Sequence, residues 1–142
     1  MILPDVNVLV HAHNSESPVH DQARVWWNRC LSGPEGIVLP WVTTLGFLRI
    51  TTDRKVFAHP LRVGEVLDQM ESWLALPHVR AVNPADNHFE ILKSSLRRLG
   101  TAGNLTTDAH LAALAIERGY VLYSTDNDFA RFENLRWVNP CV

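Results

Sequence analysis

Four aspartates stand where turns of the backbone can bring carboxylates together: Asp5, Asp108, Asp126 and Asp128. Their oxygens are hard, charged donors, and an all-oxygen set suits Mg²⁺, with Mn²⁺ as a substitute, rather than zinc in a thiolate cage. Two carboxylates about 4 Å apart repel by several kcal/mol at an effective dielectric of roughly 20. A divalent cation reverses that sign. The chemistry such a set serves is metal-dependent phosphoester hydrolysis, with water activated and charge on the phosphoryl oxygens stabilised. Each aspartate also has an ordinary explanation. Asp5 suits a turn or cap, and Asp108 suits the first turn of a helix, where negative charge offsets the macrodipole. Thr125-Asp126-Asn127-Asp128 is a composition that turns produce by themselves.

Other candidate groups are weaker. The histidines (His11, His13, His20, His59, His78, His88 and His110) share no metal spacing. His110 lies two residues from Asp108, so a helix points the two side chains apart. Cys30 and Cys141 are far apart and carry no ligand spacing; such sparse cysteine favours a reducing, cytoplasmic setting over a disulfide scaffold. Phosphatase chemistry through Asp5 lacks its second acid, because position 7 is Asn. Asn7 and Asn104 can orient a water or a carboxylate, and Thr107 or Thr125 can hydrogen-bond behind the acids. Arg49, Arg54-Lys55 and Lys93 with Arg97-Arg98 are candidates for a phosphate-facing rim. Among Trp26, Trp27, Trp41, Trp73 and Trp137, some can stack on bases, but core packing or subunit contact is expected for most.

The elements that must carry these residues follow from apolar periodicity. Ile2-Leu3 reads as a short strand ending at Asp5, with Asn7 available to cap the next helix. Val19 to Leu31 is spaced as an amphipathic helix, and Ile37-Val38-Leu39 as a buried strand. Helices are expected over Val42 to Ile50, Leu61 to Leu74 and Ala85 to Leu99, the last presenting Phe89, Leu92, Leu96 and Leu99 as one stripe capped by Gly100. Val79 to Val82 is a third strand. Thr106 or Thr107 opens an alanine-rich helix to Gly119. Tyr120 to Tyr123 is the clearest strand, Asp128 is placed to cap a short turn, and Arg136-Trp137-Val138 is the last strand. This alternation predicts a three-layer α/β domain with a mainly parallel sheet, residues 1–142 reading as one domain. Strand ends are where ligands collect in such sheets.

Composition agrees. The chain has 142 residues, 46% hydrophobic and 20% charged, with 13 basic against 15 acidic residues and a net charge of -2. Disorder and a coiled coil are excluded, non-specific coating of nucleic acid is disfavoured, and a local basic rim is allowed. No apolar run approaches a membrane helix, and Met1 to Asp5 does not resemble a signal peptide.

Several blocks in order carry a more specific signal: Leu3-Pro4-Asp5-Val6-Asn7-Val8-Leu9-Val10, Gly46-Phe47-Leu48-Arg49-Ile50, Thr107-Asp108-Ala109-His110-Leu111-Ala112, Ser124-Thr125-Asp126-Asn127-Asp128-Phe129 and Arg136-Trp137-Val138-Asn139-Pro140. With these the chain resembles the PIN-domain family over essentially its whole length, particularly the VapC toxins of type II toxin–antitoxin systems. The resemblance implies a PIN-like fold and an RNA-cleaving enzyme leaving 5′-phosphate and 3′-hydroxyl ends. It implies Asp5 and Asp108 as principal metal ligands, Asp126 as the third acid and Asp128 as an additional one. A VapB-like antitoxin and self-association, as a homodimer or toxin–antitoxin hetero-oligomer, are implied as well. The family often supplies a glutamate where this chain has Gly46. That departure, shared by a subgroup with the same Gly-Phe-Leu-Arg form, bears on a second metal position. It also keeps open a rival reading, a catalytically weak or inactive PIN-like protein that binds RNA or an antitoxin.

Overall fold

The computed structural model describes residues 1–142. In chain order the elements are β1 (Ile2–Pro4), α1 (Val6–His13), α2 (His20–Ser32), β2 (Ile37–Pro40), α3 (Trp41–Thr51) and α4 (Val63–Leu74). They continue with β3 (Val79–Val82), α5 (His88–Leu99), α6 (Thr106–Arg118), β4 (Val121–Tyr123) and β5 (Arg136–Val138). Short 3₁₀ helices at Gly103–Leu105 and Asn127–Arg131 precede α6 and follow β4.

The strands form one five-stranded sheet in the order β3-β2-β1-β4-β5, and every neighbouring pair is parallel. Parallel strands need helical crossovers, which cover both faces. Alternate residues of each strand accordingly enter opposite cores. Ile2, Ile37, Leu39 and Val79 join Val8, Leu9, Trp27, Phe47, Val66 and Trp73, from α1 to α4, on one face. Leu3, Val38, Val82 and Leu122 join Ala109, Leu111, Leu114 and Phe129 on the other. The expected three-layer parallel architecture is therefore observed.

Two features fix the site's frame. The register Ile2↔Val121 and Pro4↔Tyr123 aligns the ends of β1 and β4, so Asp5 and Ser124 emerge side by side; the Asp5 amide donates to the Tyr123 carbonyl at 2.9 Å. Ala109, Ala112, Ala113 and Ala115 are fully buried, and their small side chains let α6 lie close on the sheet with Asp108 in its first turn.

Local details differ from the expectations. Asp5, not Asn7, caps α1: its carboxylate accepts the Val6 N–H at 2.7 Å. The strand ends one residue before Asp5, which leaves that residue in the extended conformation a cap requires. Asp126, not Asp128, caps the turn after β4 and accepts the Asp128 N–H at 2.9 Å. Thr106 opens α6 as expected, following directly on the 3₁₀ helix through Leu105 and without a side-chain cap. Phe89 stands 65% exposed and leaves the α5 stripe, while Leu92, Leu96 and Leu99 pack on the core. Gly100 does end α5, at φ +72° in the left-handed region.

Candidate metal centre

Three sections of chain bring the acids to the carboxyl end of the central strands. β1 delivers Asp5, the turn after β4 delivers Asp126 and Asp128, and the start of α6 delivers Asp108. One oxygen from each of Asp108, Asp126 and Asp128 lies within 4.8 Å of the others. Asp108 and Asp126 are half-buried, and Asp128 is exposed.

Asp5 stands beside this triad rather than within it. It is buried, and both oxygens are engaged: Oδ1 accepts the Val6 N–H at 2.7 Å and Oδ2 accepts the Ser124 hydroxyl at 2.8 Å. Ser124 is a residue that the sequence reading passed over. Fully buried, its Oγ also accepts the Asp126 N–H at 3.0 Å and the Asn7 amide at 3.1 Å. Asn7 Oδ1 in turn accepts the Thr125 N–H at 3.3 Å. One hydroxyl thus ties Asp5 to the backbone that presents Asp126. The available signal was its position: pairing β1 with β4 in parallel sets residue 124 opposite residue 5. Asn7 bonds to Ser124 and to the Thr125 amide, and makes no hydrogen bond to a carboxylate. Asn104, Thr107 and Thr125 make no side-chain hydrogen bond to these acids.

The electrostatics follow from crowding like charges in a partly dry cleft. Burial raises the Asp5 carboxyl, opposed by the Ser124 and Val6 hydrogen bonds and reinforced by Asp126. The Asp108 carboxyl is pushed up to about 6, first by burial and then by the charges of Asp126, Asp5 and Asp128. All three other acids therefore act on Asp108. An all-oxygen donor set under mutual repulsion is the chemistry a hard divalent cation satisfies.

Gly46 explains why α3 adds no carboxylate. A Cβ built there would stand 3.1 Å from Val6 Cγ2, in the first turn of α1, so α3 packs against the residue next to Asp5. The histidines lie elsewhere. His110 faces α5, where its Nδ1 is 2.9 Å from His88 Nε2, and His88 Nδ1 is 2.9 Å from the buried Glu117 carboxylate. Lys93 pairs with Glu90 and Arg98 with Glu133, so surface pairing occupies much of that expected rim. Cys30 is buried in the core, its thiol pushed up to about 12 mainly by burial.

The PIN domain family model matches residues 2–135, and the chain belongs to the PIN-domain family. Relatives from Mycobacterium tuberculosis include Ribonuclease VapC33, 39% identical over 140 residues covering 99% of this chain and 98% of that protein. Ribonuclease VapC37 is 41% identical over 140 residues, covering 99% and 97%. Among solved structures, VapBC2 from Rickettsia felis bound to a promoter DNA fragment superposes with a TM-score of 0.68 at 18% identity, covering 98% of each chain. The sarcin-ricin loop cleaving toxin VapC20 of M. tuberculosis gives a TM-score of 0.64 at 16% identity, covering 96% of this chain and 99% of that one. At those identities the structural neighbours speak to the fold.

Proposed function

We propose that this protein is a divalent-metal-dependent ribonuclease of the toxin class, which hydrolyses RNA phosphodiester bonds and is neutralised by a VapB-like antitoxin. The observation that carries the reading is the convergence of carboxylates from α6 and the β4 turn, with Asp5 at the end of β1 acting on Asp108 from beside them, in a PIN domain. Relatives at 39% and 41% identity over nearly their whole length, each named a ribonuclease, support it. The preferred cation is Mg²⁺, with Mn²⁺ able to replace it, held by Asp5, Asp108, Asp126 and Asp128. The protein acts in the cytoplasm, as a homodimer or in a toxin–antitoxin hetero-oligomer; no helix is long and apolar enough to cross a membrane.

When bound, the cation supplies Lewis acidity toward water and the phosphoryl oxygens. The chain's own residues do the rest. Asp108, Asp126 and Asp128 offer converging oxygens, and Ser124 holds Asp5 in one orientation through a charge-assisted hydrogen bond. Four carboxylates without a counter-charge repel a phosphodiester, so the acids that hold the cation also make substrate binding conditional on it. No side chain is placed as a dedicated base, and proton removal falls to the carboxylates or to solvent.

The test is cleavage of total cellular RNA by wild type, Asp5→Asn and Asp108→Asn, with Mg²⁺, Mn²⁺ or chelator and with the cut ends mapped. Expected are 5′-phosphate and 3′-hydroxyl ends from wild type alone, abolished by chelator, with both variants folded by circular dichroism. Full activity in either folded variant removes that residue from the centre. RNA bound but uncut by wild type replaces the enzyme reading with the binding-protein rival.

A further inference from the structure

Four of the five tryptophans have structural employment. Trp27 and Trp73 are 2% and 1% exposed and meet edge to face at 5.3 Å. Trp26 packs on Trp27 and Tyr123, and the Trp137 indole donates to the Ser124 carbonyl at 3.0 Å. Trp41 is different. It is 47% exposed and contacts no aromatic ring of its own chain.

Its place is defined by the strand ends. Trp41 opens α3 directly after β2. The parallel register Ile2↔Ile37, counted forward, puts Pro40 level with Asp5 and Trp41 one residue beyond. The Thr43 hydroxyl donates to the Pro4 carbonyl at 3.0 Å, a buried bond that fixes the first turn of α3 on the strand delivering Asp5. Leu45 and Arg49 follow at i+4 and i+8 on the same helix face, both exposed, and Arg49 makes no ion pair. The stripe therefore begins with an indole at the sheet edge that carries the acids and ends in a free cation.

We propose that Trp41 is a nucleobase-stacking residue, on which a base flanking the scissile phosphate lies flat while Arg49 faces the phosphate backbone farther along the strand. The inference rests on the ribonuclease reading. Bases in single-stranded RNA are recognised by stacking on aromatic faces, and a cation beside such a platform tracks the backbone. An indole left half in water next to a phosphodiester-cleaving centre is the platform this mode needs.

Two variants separate stacking from mere apolar contact: Trp41→Phe keeps a π-face, and Trp41→Leu keeps apolar volume without one. Against the RNA species that wild type cuts in total cellular RNA, Trp41→Leu is expected to raise KM by roughly 5- to 150-fold. It should also relax the preference at one nucleotide beside the cut, whereas Trp41→Phe stays nearer to wild type. In the Asp108→Asn background, titration with the same RNA should quench tryptophan emission, and Trp41→Phe should remove that quench. Sedimentation velocity should show one oligomeric state for all variants. An unchanged KM and cut-site pattern in Trp41→Leu overturns the proposal, as does a change of oligomeric state, which makes the stripe a contact between copies. A wild type that cuts no RNA defeats the ribonuclease reading; titration with unfractionated cellular RNA then decides on Trp41, whose proposal falls if Trp41→Phe quenches as fully as wild type.

Discussion

Asp108 is the residue on which the local charges converge. Its carboxyl sits at about 6 in the folded protein against 3.8 ordinarily, so between those values the native state holds more proton than the unfolded chain. Stability then falls as pH rises through that window, because the group ionises more readily once unfolded. Asp5, also raised, acts in the same direction. The half-buried histidines His11, His13 and His110 are lowered and act oppositely. The difference between wild type and Asp108→Asn isolates the carboxyl. In chelator, the variant should gain stability relative to wild type as pH rises from about 4 to above 6, measured by denaturant midpoints. A constant difference across that range would show that Asp108 carries no such strain. At subsaturating metal the same ionisation should make cleavage rise with pH through the window, since a protonated Asp108 would be a poor ligand; a saturating cation should move the rise to lower pH.

Two contacts between elements hold the centre in shape. Ser124 joins the end of β4 to the cap of α1 with its hydroxyl fully buried. Ser124→Ala leaves Asp5 short of a donor and the Asp126 amide short of an acceptor, a loss of about 1–3 kcal/mol. Urea unfolding should register it, and cleavage should fall with it because Asp5 is freed to turn. A variant as stable and active as wild type would reduce Ser124 to a spectator. The second contact is α3 on α1 at Gly46. A glutamate there must displace Val6 by a few tenths of an ångström, and crowding of this kind costs on the order of 1–3 kcal/mol. Gly46→Glu should therefore be destabilised, and Val6→Ala in the same chain should recover much of the loss. Additive effects in that double-mutant cycle would place the strain elsewhere.

At the scale of the whole molecule, the acids make the free protein carry repulsion that a cation removes. Binding to the folded state alone stabilises it by mass action, about 2.7 kcal/mol at a hundredfold excess over the dissociation constant. Mg²⁺ or Mn²⁺ should raise the melting temperature at constant ionic strength, and Asp5→Asn should respond less while melting higher than wild type in chelator. Equal shifts in both proteins would mean that the cation acts through ionic strength or binds elsewhere. The -2 net charge supplies no general attraction for RNA, so on the proposed reading affinity for a polyanion would rest on the cation-loaded centre and on local cations such as Arg49.

Element order and type were legible in the sequence because their signals are local. Apolar periodicity marked the helices and strands within a few residues, and Gly100 marked a left-handed helix end. The four aspartates could be singled out because each falls at an element boundary, and the ordered blocks around them carried the family resemblance. What the sequence left open depends on register and burial, which are properties of residues far apart in the chain. Asn7 and Asp5 are equally good caps by composition; the end of β1, set by pairing with β4, chose Asp5. Asp108, Asp126 and Asp128 form the tight cluster while Asp5 stands beside it, one of its oxygens bonded to Ser124 across 119 positions. The same physics sorted the tryptophans: Trp27 and Trp73 face the layer under the sheet, whereas Trp41 begins its helix at the open edge. Tertiary packing alone decided that, since an indole's chemistry is identical in both places and only its neighbours differ.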